Sequence, residues 1–195
     1  MKSVLEAGAH KGTDTVKIAE KWPNAKIYAF EPVPDIFQEL KSATSDINNV
    51  QCEHLALGAQ EGTITMHVSS GRSDGSSSIL KPKEHVDFHP DVSFEHEIEV
   101  PLMSLDKWAA ENHVDSIDFM WLDMQGAEYE MLNASSNILN KVKVLFTEVS
   151  LIETYEGVPL YNEFRAFLES KGFEVYKEYL YWEDMGNVLF VRRDT

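Results

Sequence analysis

The chain is 195 residues long, about one ordinary domain, and its 43% hydrophobic and 26% charged residues are a globular composition that excludes disorder throughout. With 17 Lys and Arg against 33 Asp and Glu, the formal net charge is −16. That charge repels phosphate backbones and anionic lipid, and so excludes nucleic acid or a membrane surface as the main partner.

The single cysteine, Cys52, rules out an intrachain disulfide and a multi-cysteine metal site. No apolar run approaches the roughly 20 residues of a membrane span, and Met1-Lys2-Ser3-Val4-Leu5 is no signal peptide. The expectation is one soluble, cytoplasmic domain over residues 1–195, with its oligomeric state left open.

Short apolar strands alternate with helical patterns, which predicts an α/β protein with a largely parallel sheet. Residues 3–7 form a first strand ending at Gly8. Thr13 caps a helix to about residue 21 that turns Val16, Ala19 and Trp22 inward. A second strand over 26–30 stops at Glu31-Pro32. A helix over 35–44 then puts Ile36, Phe37 and Leu40 on one face, and a third strand runs over 50–57. These elements make the βαβαβ half of a nucleotide-binding sheet.

Residues 63–68 and 94–100 alternate with period two, the second stretch turning Glu95, Glu97 and Glu99 toward solvent. Between them, residues 69–93 form a Ser- and Gly-rich loop insertion, expected to act as a mobile lid. A helix over 105–112, a strand over 116–123, a helix over 127–139 and a strand over 143–149 follow. Leu160, Phe164, Phe167 and Leu168 mark a late helix that Gly172 terminates. Strands over 173–181 and 187–192 are joined too closely for a parallel crossover, so the sheet ends in an antiparallel hairpin. Tyr176, Tyr179, Tyr181 and Trp182 are expected to pack there.

Three stretches carry chemistry. In Glu6-Ala7-Gly8-Ala9-His10-Lys11-Gly12, at the first strand–helix junction, Gly8 permits a tight turn that brings N–H groups near a ligand, and Gly12 opens the helix. The spacing is not the G-x-G-x-x-G of a dinucleotide site. Glu6 directs a carboxylate to the carboxyl edge of the sheet, where it repels a pyrophosphate and attracts an ammonium or sulfonium. Glu31 ends the second strand, where an acid takes the two hydroxyls of a ribose. Asp123, in Leu122-Asp123-Met124-Gln125-Gly126-Ala127-Glu128, ends an apolar strand at the same edge. Burying it without a task is costly. Glu128 suits the positive end of the following helix. His85, His89 and His96 lack the spacing of metal ligands on one helical face, Pro90 interrupts them, and a solvated acidic loop is expected.

These stretches, with Ala56-Leu57-Gly58, Ser76-Ser77-Ser78-Ile79-Leu80 and Val100-Pro101-Leu102-Met103-Ser104-Leu105-Asp106, resemble the FkbM-type S-adenosylmethionine-dependent methyltransferases in the family's order over roughly residues 4–149. The resemblance implies a Rossmann-like class I methyltransferase fold: a doubly wound, seven-stranded, mostly parallel sheet ending in an antiparallel hairpin. It further implies that Glu6, Gly8, Ala9, His10 and Gly12 surround the methionine part of the donor. Glu31 and Pro32 would lie at the ribose, and Ala56 and Leu57 at the adenine. Glu6 and His10 stand where Asp and Asn are frequent in the family, and the chain lacks the helices that often precede the first strand.

The expected reaction is methyl transfer from S-adenosylmethionine to a hydroxyl of a small molecule such as a sugar or natural product, leaving S-adenosylhomocysteine. Asp123 and Glu148, on neighbouring parallel strands, are the candidate catalytic pair. One of them takes the hydroxyl proton, or the two hold magnesium. The metal-independent base is preferred, because two carboxylates make a thin ligand set; alternatively Asp123 binds only the donor's amino group. The rival functions are a non-catalytic S-adenosylmethionine-binding module, a dinucleotide-dependent oxidoreductase and, more distantly, a nucleic-acid methyltransferase.

Overall fold

The computed structural model describes residues 1–193. Among these described residues, ten strands and seven helices follow one another. The first half holds β1 (Ser3–Ala7), α1 (Thr13–Lys21), β2 (Lys26–Phe30), α2 (Pro34–Ala43), β3 (Val50–Glu53), β4 (Ala56–Leu57), β5 (Gly62–Gly71), α3 (His85–Phe88) and β6 (Val92–Met103). Then come α4 (Leu105–Glu111), β7 (Phe119–Leu122), α5 (Glu128–Asn133), α6 (Ser136–Leu139), β8 (Val144–Ser150), α7 (Tyr161–Ser170), β9 (Phe173–Tyr179) and β10 (Met185–Arg192).

Seven strands form one sheet in the order β3-β2-β1-β7-β8-β10-β9. The first five are parallel, and β10 runs antiparallel to both β8 and β9. The sheet is thus seven-stranded, mostly parallel and closed by a hairpin, as the sequence predicts. The chain steps outward from β1 to β3 and later returns to place β7 on the other side of β1. That reversal opens a crevice at the carboxyl ends of β1 and β7, where open α/β sheets take their ligands. Helices cover both faces, so the central strands are near-continuous apolar runs. Leu5, Met120, Leu122 and Leu145 pack with Trp108 and Leu168 on one face, and Val4, Ile27 and Phe119 with Ile18 on the other.

Several elements depart from the sequence expectation. The strand expected over 50–57 divides: β3 pairs with β2, whereas β4 leaves to pair with β6. With β5 these form a second sheet, β4-β6-β5, packed on Val33 and Ile36 through Ala56, Met66, Val100 and Leu102. α1 buries Thr15, Ile18 and Ala19, and Trp22 packs edge-on against Phe119 as expected; Val16 is only half-buried, while the Thr15 hydroxyl turns inward to Glu6. The helix expected over 127–139 breaks into α5 and α6. Asp106 of α4 accepts from the Asn137 and Ile138 N–H groups and so caps a new helix start.

The insertion is shorter than residues 69–93, since Ser70 and Gly71 still pair with Ser93 and Val92. The remaining stretch, 72–91, folds back onto the body. Ser78 exchanges backbone hydrogen bonds with His67, and the Lys83 and His85 N–H groups donate to the Thr154 carbonyl. His85 is not solvated but buried among His89, Phe94 and Tyr155, and burial pushes its imidazole down to about 4. Tyr176, Tyr181 and Trp182 stand exposed at the hairpin, where the Tyr181 ring meets those of Tyr179 and Trp182 edge-on. Among the described residues, no helix is long and apolar enough to cross a membrane.

Candidate active site

The crevice between β1 and β7 opens into a cleft whose empty volume, mouth included, is about 1050 Å³, enough for a nucleoside-sized ligand. Its tight entry is set at Gly8, with φ +82°, where a Cβ would lie 1.8 Å from the Asp123 carbonyl oxygen. Only glycine lets the turn after β1 pass so close to the end of β7. The turn does not present its N–H groups to a ligand, however. Those of Gly8 and Ala9 both donate to the Phe30 carbonyl, at 3.1 and 2.9 Å, and that of Gly12 to Ala9 at 2.9 Å. The His10 N–H, from a residue held at φ +49°, donates to Glu31 Oε2 at 3.0 Å.

The lining instead holds five carboxyl side chains, Glu6, Asp14, Glu31, Asp74 and Asp123, and neither lysine nor arginine. Burial pushes Glu6 up to about 8, against the opposing bond from the Thr15 hydroxyl at 2.5 Å. Burial also pushes Glu31 up to about 7, although its oxygens accept from the His10 and Val33 N–H groups. Such raised values mark carboxylates that gain from a cationic partner. Asp74 enters from the 72–91 stretch and pairs with His10 Nε2 at 2.9 Å and Lys11 Nζ at 2.7 Å. The Lys11 ammonium holds its carboxyl below the usual range.

Of the candidate donor-binding residues, Glu6, Gly8, Ala9, His10, Glu31, Pro32, Ala56, Leu57 and Asp123 line this cleft. Gly12 does not. It precedes α1 at φ +84°, and a Cβ there would meet the Leu40 side chain at 2.9 Å, so its task is packing against α2. Glu148 also lies outside the cleft, in a small recess with Glu128 and Val158. Glu128 accepts from the Met124 N–H at 2.5 Å, the bond of a carboxylate serving the turn before its own helix.

Gln125 joins Asp123 to Glu148. Its Nε2 donates to Asp123 Oδ1 at 2.7 Å and to the two Glu148 oxygens at 3.2 and 3.3 Å. Burial raises both carboxyl groups, and for Glu148 the neighbouring Asp123 charge adds to it. Gln125 is itself held at φ +53°. The Ser78 hydroxyl donates to its carbonyl at 2.7 Å, and the buried Tyr155 hydroxyl lies 2.9 Å from its Oε1. Sequence reasoning missed Thr15, Asp74, Gln125 and Tyr155 as site residues. Gln125 lay inside a stretch already singled out, whereas nothing local marks the other three.

The sheet order, the crevice and the acidic cleft define a Rossmann-like methyltransferase. The model of the methyltransferase FkbM domain matches residues 6–175, and the chain belongs to this family. The 2-O-methyltransferase NoeI of Sinorhizobium fredii is 31% identical over 85% of this chain and 69% of its own. Methyltransferase sdnD of Sordaria araneosa is 24% identical over 97% of this chain and 81% of its own. In fold, the chain is similar to Aeropyrum pernix fibrillarin in complex with natively bound S-adenosyl-L-methionine, with a TM-score of 0.58 at 12% identity over 97% of this chain and 66% of that one. The N-terminal domain of EvdMO1 with SAH bound gives a TM-score of 0.52 at 12% identity over 98% and 74%.

Proposed function

We propose that this methyltransferase uses S-adenosylmethionine to methylate a hydroxyl of a small, uncharged molecule. The observation that carries the reading is the cleft itself: five carboxyl groups, no lysine or arginine, and turn N–H groups already spent on β2 and Glu31. A pyrophosphate meets five carboxyl groups there and neither lysine nor arginine, whereas a nucleoside carrying a sulfonium and an ammonium is attracted. The 2-O-methyltransferase relative supports oxygen as the acceptor atom. The net charge of −16 supports a small molecule over nucleic acid.

S-adenosylmethionine supplies an electrophilic methyl on a sulfonium, which becomes a neutral thioether as the acceptor oxygen takes the methyl. Glu31 holds the ribose with the lone pairs that His10 and Val33 leave free. Glu6, Gly8, Ala9 and His10 surround the methionine part, and Pro32, Ala56 and Leu57 the nucleoside. Asp123 takes the proton that leaves the acceptor hydroxyl, and Glu148 acts on Asp123 through Gln125. The Gln125 N–H groups aimed at both carboxylates do the bridging a cation would do, which favours a base over magnesium. Residues 72–91 serve as the lid, latched by Asp74 onto His10 and Lys11.

Calorimetric titration with S-adenosylmethionine, S-adenosylhomocysteine and NAD tests the donor. The two adenosyl compounds should bind and NAD should not. Binding of NAD alone would overturn the reading.

A further inference from the structure

On the side of the main sheet that carries α1, the helical cover stops at β1. Ile18 and Ala19, the helical members of the core cluster on that side, both belong to α1 and pack with Val4, Ile27 and Phe119. Beyond them Trp121, Val144 and Phe146 are only partly buried. Val188 and Phe190 join the opposite cluster, which turns the half-buried Leu189 and Val191 to this side, level with Phe146 and Val144. An apolar strip therefore crosses the sheet from β7 to β9. Seven aromatic rings, Trp22, Phe119, Trp121, Phe146, Tyr179, Tyr181 and Trp182, run along it with successive centroids 4.8–6.4 Å apart. At its end Tyr181 and Trp182 are 75% and 55% exposed. A contiguous apolar surface rich in Tyr and Trp is the mark of an interface.

Shape, charge and area select the occupant. α1 stands over β1 as a ridge about 10 Å thick at one end of the strip, and β9 is the open edge at the other. Packed sheets lie about 10 Å apart, so two such steps turned onto each other by a two-fold axis fit together, each ridge passing the other's free β9 edge. Every chain carries −16, and most of its surface meets a copy of itself with carboxylates on both sides. The strip does not: below Glu148, β7, β8 and β10 present Phe119, Trp121, Val144, Phe146, Asn187, Leu189 and Val191. Three strand spacings by the length of a strand, with the exposed parts of Tyr181 and Trp182, give about 500 Å² per copy. Two copies then bury about 1,000 Å², the lower bound of a specific dimer.

We infer that two copies of this chain pair through these strips, and that β9 of the second copy closes the donor cleft at Trp121. A two-fold axis running along the strands between β8 and β10 sets β9 of one copy over β7 of the other. Trp121 of β7 lines the donor cleft and also touches Phe146 in the strip, with ring centroids 4.8 Å apart, so the two surfaces meet at this residue. The pairing is independent of the chemistry; the closure rests on the donor reading, and the test separates them.

In sedimentation equilibrium the mass should rise from one chain to two across the micromolar range. Leu189→Lys at the centre of the strip, and Tyr181→Ser with Trp182→Ser at its rim, should each weaken association at least about tenfold. Tyr181 and Trp182 are exposed, so the rim variant keeps its fold even where Leu189→Lys does not. Raising salt from about 50 to 500 mM should tighten the dimer by screening the repulsion between two acidic chains. A single chain at every concentration overturns the inference, and so does a dimer that the rim variant leaves unchanged or that salt dissociates. S-adenosylhomocysteine should bind the dimer at least about threefold more tightly than the single chain, measured by calorimetry above and below the midpoint. Equal affinity overturns the closure at Trp121. No binding at either concentration sinks the donor reading instead and leaves the mass result to decide the pairing.

Discussion

The Tyr155 hydroxyl lies 2.9 Å from Gln125 Oε1 and 2.8 Å from the Ser76 carbonyl oxygen, two acceptors that share its one proton. One acceptor belongs to the 72–91 stretch and the other orients the amide that bridges Asp123 and Glu148. Tyr155 thus links the covering segment to the amide of Gln125, and Ser78 of that segment holds the Gln125 carbonyl directly. The hydroxyl is buried, and burial together with the Glu148 charge pushes its ionisation far upward, so it acts only as a neutral donor.

Tyr155→Phe removes this donor and leaves Gln125 Oε1 without it in a buried setting. A loss of about 1–3 kcal/mol in stability is expected by urea unfolding. Affinity for S-adenosylmethionine should stay within about twofold, because Tyr155 does not line the donor cleft. A mutant as stable as the parent would mean that the hydroxyl holds nothing.

Glu31 is best tested by Gln. The amide oxygen still accepts one of the two backbone N–H groups that Glu31 serves, so the strand end keeps its shape. Losing one charge-assisted bond to the ribose should lower donor affinity about tenfold in calorimetry. Unchanged affinity in a folded Glu31→Gln protein removes Glu31 from the ribose.

Gly8→Ala sets a methyl group against the Asp123 carbonyl oxygen at a φ of +82°. Clash and strained backbone together should cost about 2–4 kcal/mol. A thermal melt within error of the parent would show that the β1 turn and the end of β7 can separate freely.

Glu6 is raised to about 8, and Glu31 and Glu128 to about 7, all by burial, from an ordinary 4.5. The folded protein therefore holds protons that the unfolded chain has already lost. The stability tied to these groups is present below 4.5 and disappears as pH rises through 7 to 8. The ligand-free melting temperature should fall across that window. A cationic donor favours the ionised carboxylates, so its affinity should rise over the same range with proton release. Titration in buffers of different ionisation enthalpy measures that release, and donor binding without it would place the sulfonium and ammonium away from Glu6 and Glu31.

If residues 72–91 close over bound donor, trypsin should cut after Arg72 and Lys83 more slowly once S-adenosylmethionine is added. Asp74→Ala, which removes the latch to His10 and Lys11, should abolish most of that protection. Equal cutting rates with and without donor would leave the stretch a static cover.

The parallel strands, the terminal hairpin and the placement of Glu6, Glu31 and Asp123 at one sheet edge were determined by the sequence alone. Apolar runs, glycine turns and strand-ending acids act over a few residues, and parallel strands carry their ends to a common edge. Tertiary structure decided the rest. The 50–57 strand is divided because β6, about 45 residues further on, offers β4 a second pairing partner. The 127–139 helix breaks because Asp106 supplies a cap from another element. Glu148 is separated from the donor cleft because the positive φ of Gln125 turns its amide between two carboxylates, where Ser78 and Tyr155 hold it. Each outcome depends on hydrogen-bonding partners brought together only when the chain packs, and no periodicity or local motif encodes such a partner.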